Sequence, residues 1–168
     1  MKLYHWMTDF SGISSRTLGS PQRVYARWLA ALRLEDLDRL LELYAEDAIL
    51  MGDLAAGVQT GTEQIRAYFR DLVHHRQFDI SPSEVRFRDV GADVVTATGS
   101  YAIQFGGARR SDPVERMLES FTMVFRRDYR TSDWLITNHH ASSAPDLDLT
   151  ISRRLAGAGL VAVSSEAI

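Results

Sequence analysis

The chain has 168 residues, 45% of them hydrophobic and 24% charged, which is the balance of one globular domain with a sizeable core. A formal net charge of −3 speaks against nucleic-acid binding, and the lack of an apolar run of about 20 residues speaks against a membrane span. The absence of cysteine excludes disulfides, thiolate metal sites and cysteine nucleophiles.

Residues 1–19 carry Tyr4, Trp6 and Phe10 without a clear period and read as an N-terminal arm. The lone Lys2 is followed by no long apolar stretch, so no signal peptide is expected and the location expected is cytoplasmic. In "SPQRVYARWLAAL", Ser20 is a candidate N-cap and Pro21 sits at the first helical position. Val24, Tyr25, Trp28, Leu29 and Leu32 then follow at helical spacing and predict a buried face. "EDLDRLLELYAED" aligns Leu37, Leu40, Leu41 and Tyr44 on one stripe and predicts a second helix, with a short strand in "AILMG". The third helix is "TGTEQIRAYFRDLVHHR", with Thr60 and Glu63 as a capping box or Thr62 capping alone, and with Ile65, Tyr68, Phe69 and Leu72 facing inward.

From about residue 83 the period shortens to that of strands. "SEVRFRDVG", "DVVTATGSYAIQF", "MLESFTMVFRRDY" and "DWLITNHHASS" are separated by turns at residues 91–93, 106–113 and 130–133. Val95, Ala97, Gly99, Tyr101, Ile103 and Phe105 share one strand face. Three helices followed by long antiparallel strands predict an α+β domain over residues 20–146, in which a cone-shaped curved sheet wraps around the helices and encloses a cavity. Residues 147–168 read as a C-terminal tail whose Gly157 and Gly159 lack the strand-and-turn context of a dinucleotide site.

The last strand ends in "TNHHASS". Alternation puts Asn138, His140 and Ser142 on one face and Thr137, His139 and Ala141 on the other. We expect the even-numbered set to look into the cavity, with His140 as an acid–base group beside Ser142 and His139 turned outward in a packing or dimer role. Asp53, just past the first strand, is a possible partner for His140, against the simpler reading of a solvated loop aspartate. Tyr68, inside the third helix, offers a hydroxyl donor or plain core packing. Trp28, Tyr44, Met51, Tyr101, Ser120 and Asn138 complete the expected substrate wall, the aromatic ones being equally good core residues. No metal site is expected: His139–His140 and His74–His75 are adjacent pairs without the i, i+4 spacing of a helical zinc motif.

Taken in order, "YARWLAAL", "DLDRLLELYAEDAILM", "GVQTGTEQIRAYF", "TGSYAIQF", "FTMVFRR" and "WLITNHHASSAP" resemble the SgcJ/EcaC-type proteins over residues 21–146. These are a branch of the SnoaL-like, nuclear transport factor 2-like superfamily, and they look similar to the association domain of calcium/calmodulin-dependent kinase II. The resemblance implies the cone fold and a homodimer packed through the sheet. It is also similar to iota-class carbonic anhydrases, whose metal-free site carries over by position to Asp53 (a threonine in that group), Tyr68, His140 and Ser142. Ala141, Ala144 and Ser120 depart from that pattern. The function expected is therefore cofactor-independent acid–base chemistry on a small organic substrate: cyclisation, isomerisation or dehydration, in a bacterial natural-product pathway. Catalysis by His140, Asp53, Tyr68 and Ser142 is the matching site. The alternatives are a metal-free carbonic anhydrase and a non-catalytic binding or assembly module, the last favoured by a cavity too small for a ligand.

Overall fold

The computed structural model describes residues 19–74, 76–106 and 114–143. The N-terminal arm before residue 19 and the tail from residue 147 lie outside the described residues.

Helix α1 (Pro21–Arg33) starts as its sequence dictates: the Ser20 hydroxyl accepts from the Arg23 amide at 3.3 Å, and Pro21 occupies the first turn. Its inner stripe, Val24, Tyr25, Trp28, Leu29 and Leu32, is buried. The second helix is shorter than its stripe predicts. Helix α2 spans only Leu37–Leu41, and Tyr44 belongs instead to strand β1 (Tyr44–Met51). Pairing decides this boundary, because Tyr44 lies opposite Ile136 and the Ile136 amide donates to the Leu43 carbonyl at 2.8 Å. A sheet partner outweighs a weak helical preference.

A short strand β2 (Gln59–Thr60) leads into helix α3 (Gly61–Val73). Thr60 stands at the N-cap without a side-chain capping bond, and the Gln64 side chain accepts from its amide at 2.8 Å. The expected Thr60–Glu63 box is thus replaced by one reciprocal bond from Gln64. Ile65, Tyr68, Phe69 and Leu72 are buried, as the spacing predicts.

Strands β3 (Arg76–Gly91), β4 (Val94–Gly106), β5 (Val114–Arg127) and β6 (Trp134–Ser143) complete a six-stranded sheet in the order β2-β1-β6-β5-β4-β3. Only the β1–β6 pair is parallel. The third strand begins earlier than "SEVRFRDVG" suggests and carries Pro82 beside a register shift, on an edge strand where a missing donor is tolerated. The helices cover one sheet face, and the core is aromatic: Tyr25 stacks on Phe121 and Trp28, and Tyr101 stacks on Phe121. This is the expected α+β fold, with three helices on a mixed, mostly antiparallel sheet. No described helix is long and apolar enough to cross a membrane.

Candidate active site

The inner face of the sheet is read most directly from cross-strand pairs. On β4 and β5, Tyr101 stands opposite Glu119, Gly99 opposite Phe121 and Ala97 opposite Met123. On β5 and β6 the same rows continue as Glu119–Ser143, Phe121–Ala141 and Met123–His139. Phe121, Met123, Ala141 and His139 are all buried, so the row places His139, not His140, inside.

That corrects the expected orientation of the last strand. Trp134 and Ile136 are buried and fix even positions inward at its start. The ladder then jumps from Phe125–Ile136 to Val124–Asn138, which leaves Thr137 as an extra residue. A bulge of one residue reverses the alternation. His140 and Asn138 are consequently exposed on the outer face and Ser142 is half-buried there, while Ser120 is likewise outside on β5. Asp53 is exposed as well: its carboxylate accepts from the backbone N–H and the hydroxyl of Ser143. Those two bonds hold its pKa below the usual carboxylate range, helped by His140 and opposed by slight burial. Among the four expected catalytic residues, Tyr68 alone lines the interior hollow.

The hollow is lined by Trp28, Met51, Tyr68, Tyr101, Glu119 and His139, with aliphatic and aromatic side chains between them. Trp28, Met51 and Tyr101 thus stand where a substrate wall was expected. Met51 sits at the rim, 44% exposed. Tyr44 lies behind His139. The cavity volume is only about 10 Å³, room for a single water.

Two polar groups in it were missed by the sequence reading. Glu119 is 3% exposed, and its carboxylate has the Tyr101 hydroxyl as hydrogen-bond partner. Burial raises its pKa, Tyr101 opposes the rise and the charge of Asp53 adds to it. Among the described residues no arginine or lysine lines the hollow to neutralise it. A signal was available, since Glu119 shares the alternation of Phe121, Met123 and Phe125. A carboxylate in phase with such a run is buried by the strand itself.

The second group is His139. Its Nδ1 lies 2.9 Å from the Tyr44 hydroxyl, which accepts from Trp28 Nε1–H at 2.9 Å. Its Nε2 is buried with no partner among the described residues. Burial, and then the charge of His140, push its pKa down to about 3, so the imidazole is neutral near pH 7. Tyr68 contributes a third polar atom. Its hydroxyl, raised to about 12 by burial and by Glu119, is bonded by the Leu54 backbone of the loop that follows β1. Among the described residues no cluster of three or more His, Asp or Glu side chains is placed to hold a metal.

Residues 22–146 match the family model of the SnoaL-like domain. The chain belongs to that family. No curated protein matches it significantly. Among solved structures, the SnoaL-like domain is similar to a ketosteroid isomerase-like protein from Erwinia carotovora atroseptica, with TM-score 0.66 and 16% identity, covering 76% of this chain and 97% of that one. It is also similar to a protein from Xanthomonas campestris described as a calcium/calmodulin-dependent protein kinase II association domain, with TM-score 0.64 and 21% identity, covering 80% and 96%. A third is the hexachlorocyclohexane dehydrochlorinase LinA-type3 from Novosphingobium barchaimii, with TM-score 0.63 and 17% identity, covering 73% and 82%. At these identities the likeness is one of fold.

Proposed function

We propose that this SnoaL-like domain is a cofactor-independent acid–base enzyme acting on a small, uncharged carbonyl compound, with Glu119 moving the proton. The observation that carries the reading is a carboxylate sealed in an apolar hollow whose described lining holds no arginine or lysine. Burial of this kind raises the pKa of a carboxyl and so makes its carboxylate a stronger base. In the first step the Glu119 carboxylate takes a hydrogen from a carbon beside, or conjugated to, the carbonyl. The charge that develops on the carbonyl oxygen is held by interior donors, His139 and Tyr68. Return of the proton to another carbon completes an isomerisation, and loss of a neighbouring group completes an elimination. Solved structures of similar fold carry the names of an isomerase-like protein, dehydrochlorinases and a dehydratase, which supports this range of outcomes, and the finer resemblance to the SgcJ/EcaC branch supports a substrate from natural-product metabolism. The loop after β1, pinned by Asp53 to Ser143 and by Leu54 to Tyr68, must move aside for such a molecule to enter.

The test is deuterium exchange into cyclohex-2-enone, which carries hydrogens both beside the carbonyl and at the vinylogous position. Proton NMR in deuterated buffer should show exchange accelerated by the protein and rising with pH as Glu119 ionises. A protein that binds the enone yet leaves both exchange rates at the buffer level would remove the reading.

The narrow volume supports a second reading, a non-catalytic binding or assembly module filled by its own side chains. Filling alone gives no reason for a buried carboxylate or for the unpartnered Nε2 of His139, each of which costs stability. We therefore rank it second. The carbonic anhydrase reading loses its residue basis, because Asp53, Tyr68, His140 and Ser142 do not meet in the hollow.

The homodimer belongs to this proposal too. Ile49, Asn138, His140, Thr122 and Thr98 form an outer-face band of β1, β6, β5 and β4 without a lysine, arginine, aspartate or glutamate. Sedimentation should give a dimer for the wild type and a monomer for Thr122→Lys, and a monomeric wild type would refute the pairing.

A further inference from the structure

Resting on that proton-transfer reading, we propose that His139 is a fixed, neutral hydrogen-bond donor rather than a base, that Trp28 and Tyr44 are the residues that fix it, and that its ligand is the oxygen of an uncharged carbonyl group. The argument is one of hydrogen bookkeeping along a buried chain. Trp28 Nε1–H can only donate, so the Tyr44 oxygen accepts at 2.9 Å. Among the described residues the single Tyr44 proton then has one acceptor at hand, His139 Nδ1 at 2.9 Å. Nδ1 is therefore unprotonated, and the ring carries its hydrogen on Nε2. That Nε2–H has no acceptor among the described residues, although His139 is 4% exposed and lines the hollow. A buried donor left unmatched is destabilising, and a ligand oxygen would match it.

The ring is held on every side. Trp28 meets it edge-on with centroids 5.3 Å apart, and Phe69 and Tyr44 flank it at 6.4 Å. Such packing fixes where the N–H points, as a preorganised donor requires. The hollow also selects the ligand's charge. Among the described residues its lining holds no arginine or lysine to receive an anion, and Glu119 repels one. At the His139 end an ammonium group would face the Nε2–H, donor against donor, whatever attraction Glu119 offers at the other end. Along the sheet, the Phe121–Ala141 pair separates the Glu119–Ser143 and Met123–His139 pairs. Oxygen and labile hydrogen are thus received at two ends of the hollow, as an elongated conjugated carbonyl compound would present them.

The test uses histidine labelled with nitrogen-15 and long-range proton–nitrogen NMR on the full chain. Wild-type His139 should carry its proton on Nε2, and cyclohexanone should move that signal while cyclohexanecarboxylate and cyclohexylamine do not. In Tyr44→Phe the His139 nitrogen signals should broaden or average between tautomers, and the Kd for cyclohexanone should rise about tenfold. A wild-type proton on Nδ1 would overturn the donor assignment even if Tyr44→Phe does not fold. A shift caused by the carboxylate or the amine instead would overturn the ligand class, and unchanged signals and affinity in a folded Tyr44→Phe would overturn the positioning role. None of these readouts uses turnover. An Nε2–H tautomer that binds cyclohexanone without any enone exchange would therefore refute the proton-transfer reading and leave this one standing.

Discussion

Glu119→Gln is expected to lower the enone exchange rate by about 100- to 10,000-fold, the usual contribution of a positioned acid–base group, while making the protein more stable at pH 8. Glutamine keeps the shape and can still accept from the Tyr101 hydroxyl, so the loss would report proton transfer and not a collapsed hollow. The stability gain follows from the direction of the pKa shift. Burial lifts the folded pKa of Glu119 above 4.5, so the folded protein holds that proton more tightly than the unfolded chain does. The stability this linkage contributes is whole below pH 4.5 and is lost as the pH rises through the folded value. Glutamine does not titrate. Its advantage should therefore be present at pH 8 and vanish near pH 4, which thermal denaturation at the two pH values would read. A variant as active as the wild type would remove Glu119 from the chemistry. A variant less stable than the wild type at pH 8 would mean that the carboxylate is not penalised by burial. A group that lowers folding stability yet speeds a reaction is the pattern expected of a functional site.

The helices and the sheet were legible because their signals are local. Ser20 and Pro21 mark a start, and the spacings 24/25/28/29/32 and 65/68/69/72 mark faces, in each case without reference to another part of the chain. The second helix was overdrawn because the same leucine stripe that fits a helix through Tyr44 ignores the parallel pairing of Tyr44 with Ile136. The candidate site failed for a related reason. Beyond Thr137, alternation grouped His139 and Ala141 correctly against Asn138, His140 and Ser142, but which group faces inward depends on the bulge at Thr137. That bulge exists only in the register with β5. Bulges next to functional sites re-aim side chains in this way. Glu119 was overlooked although its phase was visible. Attention to Ser120, the neighbouring polar residue, placed the polar group on the wrong face of β5. The Trp28–Tyr44–His139 chain joins residues 16 and 95 positions apart and has no local signature.

Gly99→Ala should cost about 3 kcal/mol, at the upper end of ordinary overpacking, and lower Tm by roughly 10 °C. A β-carbon at this position would lie 2.0 Å from the Glu84 carbonyl oxygen and 2.9 Å from the Glu84 carbon and the Val85 Cα. All three are backbone atoms of β3, so no side chain can turn aside to make room. Relief requires β3 to shift where its register with β4 already slips between Pro82 and Glu84. The same shift would disturb Tyr101, two residues along β4 and the cross-strand partner of Glu119. Gly91→Ala is the matched control. It ends β3 in the same hairpin, whereas Gly99 lies inside β4; an added β-carbon at Gly91 meets nothing within 4 Å, and its effect should stay within about 0.5 kcal/mol. Gly52→Ala separates the strain of backbone contact from that of side-chain contact. Its β-carbon would meet the Tyr68 hydroxyl, the far end of a side chain that can swing, so the change should perturb the hollow more than the stability. Chemical denaturation of the three variants checks the ranking. Equal stability for Gly99→Ala and Gly91→Ala would show that the close approach of β3 to β4 does not constrain the fold, and with it that the Tyr101–Glu119 pair is not held in place by that hairpin.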